Sequence, residues 1–293
     1  MTSLQAPFGG DWTTEKLERV RKYLEAYAKI MGQRQFRFAY IDAFAGTGYR
    51  TMRQDENPKE LMLPEFSDKE AKNFLEGSAR IALQIRPRFT KYLFIEKDEK
   101  RFLELEKLKN EFAEVAKDIM LVNAEANAYI KDLCQNYKWA KNRAILFLDP
   151  FGMQVIWETI EAIAQTKAID LWYLFPLGVA VNRLLKKNGE INEPLKKRLD
   201  NLFGTSDWYE AFYQKRIRPS LFGDTSVTEK IANYEAIGKY FVGRLKKIFP
   251  GVAENPLPLL NSKNNPLYLL CFASGNPRGA KTAIKIAQDI LKR

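Results

Sequence analysis

From residue 36 to residue 178 the chain repeats one alternation. Short, nearly continuous apolar runs are separated by longer segments in which apolar residues recur every three or four positions. The runs are "FRFAYIDAF" (36–44), "KYLFIEKD" (91–98), "DIMLVNAEAN" (118–127), "RAILFLDPFG" (143–152) and "DLWYLFPLG" (170–178). Each reads as a strand buried on both faces.

Between and before them, helical spacing predicts helices over 13–32, 77–89, 99–116, 128–137 and 157–166. In the first, Leu17, Val20, Leu24, Tyr27 and Ile30 share a face, Thr13 or Thr14 can cap the start and Gly32 can end it. In the third, Phe102, Leu105, Leu108 and Phe112 are in phase. Residues 50–70 are polar, hold two prolines and lack a period, so they read as a long loop. Buried strands alternating with helices predict an α/β fold, a parallel sheet covered on both faces.

The rhythm changes after residue 178. Residues 179–247 read as mostly helical, with no strong strand. "PLPLL" (256–260) and "PLYLLCFASG" (266–275), joined by "NSKNN", predict a closing antiparallel hairpin, and 277–293 a final helix. The expected organisation is an α/β core from 1–178 and 250–293, carrying a helical insertion at 179–249.

Composition narrows the chemistry. Apolar residues make up 46% of 293, enough for a substantial core, yet no window approaches the ~18 uninterrupted apolar residues of a membrane span. The start, "MTSLQAPFGGDW", has neither the basic nor the apolar region of a signal peptide. Cys134 and Cys271 are far apart and outside any CxxC spacing, which suits reduced thiols in the cytoplasm and no metal cluster. Histidine is absent. That removes the commonest general base and metal ligand, and with them Ser-His-Asp, Cys-His and most zinc chemistry.

The net charge of +11 is uneven. Residues 1–180 are close to neutral, whereas 181–247 carry 14 Lys and Arg against 8 Asp and Glu, and 248–293 carry 6 against 2. A polyanionic partner suits that asymmetry, and so do solvated helix faces.

In an open α/β sheet, ligands bind outside the carboxyl ends of the strands. Four strand ends there are polar. The first closes in Asp42 and "FAGTG", where Phe44 and Thr47 flank Gly46 and Gly48, two residues that let a backbone pass close to a ligand. The second ends in Glu96 and Asp98, where a ribose diol finds a carboxylate. The third ends in "NAEAN", offering Asn123 and Glu125. The fourth ends in Asp149, Pro150 and Phe151, followed by Gly152. Asp149 and a neighbouring carbonyl can accept both N–H bonds of a planar amine, while the Phe151 ring stacks on the base. A full GxGxxG is missing because residue 51 is Thr, and no Gly-Lys-Ser/Thr follows, so a dinucleotide oxidoreductase and an NTPase are both disfavoured.

In this order the four strand ends resemble the class I S-adenosylmethionine-dependent methyltransferases. The similarity is to the amino-methylating branch with its FxGxG and (D/N)PP(Y/F) motifs. Phe151 stands where a second proline is usual, and Gly152 where the ring residue is usual. A further resemblance covers nearly the whole chain. "YIDAFAGTG", "FIEKD", "FLDPFGMQV.W.TI..IA.TK.IDLWYLFP" and "LLCFASGNPRGAK" are similar to the three-Cys-motif partner family (TcmP), methyltransferase-like proteins encoded beside a protein with a three-cysteine motif. The resemblance implies a Rossmann-like methyltransferase sheet, S-adenosyl-L-methionine as cofactor and that cysteine protein as a possible partner.

Methyl transfer to an amine needs no histidine, because positioning supplies much of the acceleration. On this reading Asp42 sits near the methionine amino group or the glycine turn. Glu96 holds the ribose, Asn123 or Glu125 meets the adenine, and Asp149 orients the acceptor. Arg183, Lys186, Lys187, Lys196, Lys197 and Arg198 would grip nucleic acid, with Trp208, Tyr209, Phe212 and Tyr213 either stacking on bases or packing in the core. A small-molecule or protein acceptor, and a degenerate subunit serving the cysteine protein, are the other readings.

Overall fold

The computed structural model describes residues 12–34, 36–46, 77–219 and 224–292. Thr47, Gly48 and the 50–70 loop lie outside the described residues. A long helix α1 (Trp12–Gly32) leads into β1 (Arg37–Asp42). Then follow α2 (Ser78–Gln84), β2 (Lys91–Glu96), α3 (Glu99–Glu111), β3 (Ile119–Asn123), α4 (Ala126–Asn136), β4 (Asn142–Leu148), α5 (Trp157–Gln165) and β5 (Ile169–Phe175).

These five strands are parallel neighbours in the order β3-β2-β1-β4-β5. The order reverses between β1 and β4, the topological switch point at which such sheets bind ligands. On the far side of β5 the sheet continues with antiparallel β10 (Pro266–Ser274), which pairs with β9 (Leu257–Leu260) and with the short β8 (Gly251–Val252). The expected C-terminal hairpin is therefore β9–β10, and a last helix, α9 (Ala280–Leu291), follows it. The whole is a Rossmann-like α/β sheet, mainly parallel with an antiparallel edge.

The central strands β4 and β5 are buried on both faces, which is why they read as continuous apolar runs. One face packs α4, α5 and the helices after β5, with Ile130, Ile160, Phe203 and Phe241 in the core. The other packs α1, α2, α3 and α9, with Leu24, Leu83, Leu105 and Leu291. On α1 the buried stripe is Lys16, Val20, Tyr23, Leu24 and Ala28, while Ile30 at its end is 38% exposed. Tyr23 donates a hydrogen bond to buried Asp170 at the start of β5, 3.0 Å away, and Ser274 on β10 donates to the same carboxylate at 2.7 Å.

After β5 the chain makes a π-helical turn (Leu177–Asn182), then α6 (Glu193–Phe203), α7 (Trp208–Phe212) and α8 (Tyr234–Lys246). Between α7 and α8 the structure corrects the sequence reading. Tyr213–Arg218 (β6) and Thr225–Lys230 (β7) form an antiparallel two-stranded ribbon where no strand was expected. Residues 214–218 are all exposed, so this ribbon lacks the apolar alternation that marks a half-buried strand. Leu199, Phe203, Trp208, Ile237 and Phe241 of this segment belong to the same core cluster as β4 and β5.

Candidate functional site at the carboxyl edge of the sheet

Registers place the strand ends side by side. Asp42 pairs with Phe94 of β2 and Phe147 of β4, and Glu96 pairs with Asn123. Asp149 follows β4 directly. Asn123, Glu96, Asp42 and Asp149 therefore lie in a row along one edge, across the switch point.

The turn after β1 is fixed by its neighbours. Ala43 donates its N–H to Phe147 O (3.2 Å) and Ala45 to Ile95 O (3.0 Å), which carries the backbone over the ends of β4 and β2 towards buried Gly46. Asp42 is fully buried beneath it. One oxygen accepts Phe44 N–H at 3.2 Å, the other lies 3.4 Å from the Tyr40 hydroxyl, and Ser78 also hydrogen-bonds the carboxylate. Burial pushes the Asp42 pKa up to about 7, and the nearby Asp149 charge pushes the same way; the Ser78 and Phe44 bonds oppose it. Asp42 thus holds the turn from below.

At the end of β2, Glu96 is buried and accepts Asp98 N–H at 2.8 Å, with Arg101 at 4.0 Å. Burial raises its pKa, offset in part by that N–H bond. Asp98 caps α3 by accepting Arg101 N–H at 3.0 Å. The Asn123 amide donates to Glu96 O (2.9 Å) and Lys97 O (3.1 Å), which locks the ends of β2 and β3 together. Glu125 is an N-cap, since its oxygens accept Asn127 N–H (3.0 Å) and Ala128 N–H (2.8 Å). Its burial raises the pKa, but these bonds outweigh it and the net shift is down.

Asp149 is only 4% exposed. Its Oδ2 meets Lys16 Nζ of α1 at 2.5 Å, and Lys16 is fully buried, near the rings of Phe147 and Trp12. Burial raises the Asp149 pKa against the pull of Lys16, and lowers that of Lys16 against the pull of Asp149. The second oxygen, Oδ1, has no hydrogen-bond partner among the described residues although it is shielded from solvent. A buried acceptor without a donor is costly, so Oδ1 retains the capacity to accept a hydrogen bond.

The loop after Asp149 is tied down. Phe151 N–H donates to Gln154 Oε1 (2.9 Å), closing the turn around buried Pro150, and Gly152 has φ +67°, a conformation that suits glycine. Asn127 clamps this loop to α4. Its amide donates to Gln154 O (2.9 Å), and its oxygen accepts Ile156 N–H (3.1 Å) and Thr159 Oγ1 (2.9 Å). Phe151 is half-buried against the core cluster that α1, α2, α3 and α9 build on one face of the sheet.

Sequence reasoning missed Lys16, Tyr40, Ser78 and Asn127. Lys16 did leave a trace, because it lies four residues before Val20 on the buried stripe of α1.

The basic residues lie after β5. Arg183, Lys186, Lys187, Lys197 and Arg198 are exposed, and Lys196 pairs with Glu193 at 2.9 Å. The aromatics among them do not stand ready to stack on bases. Trp208 and Phe212 are 1% exposed and Tyr213 5%, because their apolar surface covers the core. No group of three or more Asp, Glu or Cys that could hold a metal ion occurs among the described residues, and no described helix is long and apolar enough to cross a membrane.

No family model matches the sequence, and no curated protein matches it either. Solved structures do resemble it at a distance. Protein LPL1258 from Legionella pneumophila is 16% identical, with 82% of this chain and 92% of that chain covered and a TM-score of 0.39. TYW2 from M. jannaschii, in complex with AdoMet, is 12% identical over 78% of this chain and 80% of that one, with a TM-score of 0.28. A SAM-dependent O-methyltransferase from Thermotoga maritima is 11% identical over 72% and 61%, with a TM-score of 0.27. Likenesses this remote add nothing to what the strand order itself states.

Proposed function

We propose that this chain is an S-adenosylmethionine-dependent methyltransferase acting on an amino group of a nucleic-acid base. The observation that carries the reading is the divided carboxylate of Asp149. Lys16 holds Oδ2, and Oδ1 is a buried acceptor lacking a donor, two residues before Phe151 in the loop after β4.

The residues present fit the cofactor. Gly46 lies in a turn suspended over β1, β2 and β4, and Glu96 offers a buried carboxylate at the next strand end for hydroxyl groups. Asn123 stands beside it, and Asp42 supports the turn. When bound, S-adenosylmethionine supplies an electrophilic methyl group on a sulfonium. Asp149 Oδ1 accepts an N–H of the acceptor amine and so aims its lone pair. Burial raises the proton affinity of Asp149, which lets it take the proton the amine sheds. Lys16 fixes the rotamer of Asp149, and Asn127 with Gln154 fixes the loop that presents Phe151. A base in a duplex must be flipped out to reach this site.

The resemblance to the three-Cys-motif partner family supports a second reading, a cofactor-binding subunit that works with the cysteine protein in the cytoplasm. One observation favours it: Gly152, buried at φ +67°, leaves no ring where the amine-methylating pattern has one.

The test is incorporation of labelled methyl from S-adenosylmethionine into mixed DNA and RNA, by wild type and by Asp149→Ala. Incorporation lost in the variant, while S-adenosylhomocysteine still binds it, supports methyl transfer through Asp149. Cofactor binding with no incorporation into any nucleic acid overturns it and favours the subunit.

A further inference from the structure

Among the described residues, the segment after β5 offers exposed cations while its rings at 208–213 are largely packed away. Besides the buried Trp208, Phe212 and Tyr213, Tyr209 stacks on Tyr213 with ring centroids 4.7 Å apart and donates to Gly189 O at 3.0 Å. Single-stranded nucleic acid is held largely by stacking on such rings. A duplex hides its bases and presents phosphates and grooves.

The β6–β7 ribbon suits that second kind of ligand. Lys215, Arg216 and Arg218 are exposed along β6, and between the two arginines Ile217 is 71% exposed. Alternation puts Arg216 and Arg218 on one face and Lys215 and Ile217 on the other. Glu229 of β7 pairs with Arg218 and, at 3.6 Å, with Arg216. Such exposed pairs are weak, so phosphates can compete for the guanidinium groups. A six-residue strand reaches about 20 Å, and a two-stranded ribbon fits the major groove of B-form DNA.

The root of the ribbon is tied to the segment that leaves the carboxyl end of β5, the sheet edge that also carries the candidate site. Lys230 Nζ donates to Asn182 Oδ1 (2.6 Å), at the end of the π-helical turn that leaves β5. Lys230 N–H donates to Lys187 O (2.9 Å), and the Tyr213 hydroxyl to Lys186 O (2.9 Å). The ribbon is thus bolted to the chain just beyond the carboxyl end of β5, two strands from β1.

We propose that the β6–β7 ribbon is the element that docks duplex DNA, through Lys215, Arg216 and Arg218. The inference rests on the nucleic-acid reading above and specifies its substrate as double-stranded.

Fluorescence anisotropy tests it with a labelled 24-base-pair duplex, as DNA and as RNA, and the corresponding single strands, over a series of salt concentrations. Wild type should bind the DNA duplex more tightly than its single strand and more tightly than the RNA duplex. Lys215→Glu/Arg216→Glu/Arg218→Glu should weaken duplex binding at least tenfold and flatten the plot of log affinity against log salt by about 2 to 3. Arg216→Gln/Arg218→Gln, which places no new carboxylate beside Glu229, should weaken it several-fold with an unchanged melting temperature. Duplex binding equal to wild type in both variants overturns the proposal, as does wild type preferring the single strand or the RNA duplex, or binding no DNA duplex. S-adenosylhomocysteine titration of the same samples reads the methyltransferase claim separately, since the ribbon variants should bind it like wild type.

Discussion

Lys16 and Asp149, 133 residues apart in sequence, form an ion pair of 2.5 Å in which neither side chain reaches solvent appreciably. The pair joins the first helix to the loop after β4, and so joins the start of the chain to its sharpest candidate for chemistry. Removing one partner of a buried pair leaves the other charge uncompensated, which typically costs about 3–5 kcal/mol. Lys16→Met should therefore lose about that much stability in urea unfolding, while Lys16→Met/Asp149→Leu should recover most of it. A single variant as stable as wild type would contradict the pairing.

Asp42 predicts an unusual response to pH. Its folded pKa of about 7 lies above the ordinary carboxylate value, so the native state holds a proton that the unfolded chain releases. The stability this contributes is full below about pH 4 and is lost as pH rises through 7. Asp170, raised by burial to about 6, acts in the same direction. The protein should therefore unfold at a lower urea concentration at pH 8 than at pH 5.5. Asp42→Asn, still beside Lys16, Asp149, Tyr40 and Ser78, should flatten that dependence. A wild type that gains stability from pH 5.5 to 8 would contradict the buried, proton-holding carboxylate.

Gly178 is required by a close approach. A Cβ there would come within 1.9 Å of the Pro266 carbonyl oxygen at the start of β10. Backbone cannot yield as a flexible side chain can, so Gly178→Ala should displace the turn after β5 and cost more than 2 kcal/mol. Gly243→Ala is the control, because nothing lies within 4 Å of its Cβ position. Equal melting temperatures for the two variants would be inconsistent with the packing of β10 on this turn.

Asn127 should matter more than a half-exposed amide usually does. It bonds Glu125, Gln154, Ile156 and Thr159 together. At roughly 0.5–1.5 kcal/mol per hydrogen bond, Asn127→Ala should cost about 2 kcal/mol. Hydrogen exchange of the 151–157 amides should quicken while those of β4 stay protected. Unchanged exchange in the loop would show that the clamp is not what orders it.

Much of this architecture was legible in the sequence. Five apolar strands alternating with helices imply the parallel arrangement seen in β1 to β5, and the "NSKNN" connection marks the β9–β10 hairpin. Strand ends carrying Asp42, Glu96, Asn123 and Asp149 were readable because chemistry in such sheets collects at one edge. The partners of those residues were not. Lys16 has the spacing of the buried stripe of α1, four residues before Val20, but spacing names no partner for a charge. Only the fold brings it to Asp149. The β6–β7 ribbon was hidden because residues 214–218 are all exposed, so no apolar alternation marks β6. For the aromatics of 208–213 the sequence left core packing and base stacking both open, and their burial decides for the core.

The central claim is that the edge formed by β1, β2 and β4 holds S-adenosylmethionine. Calorimetric titration with S-adenosylmethionine and S-adenosylhomocysteine, beside a Gly46→Arg variant, tests it most directly. The account predicts micromolar binding of both by wild type and its loss in the folded variant, where a long cation fills the turn. No binding to wild type, or equal binding to Gly46→Arg, would contradict it.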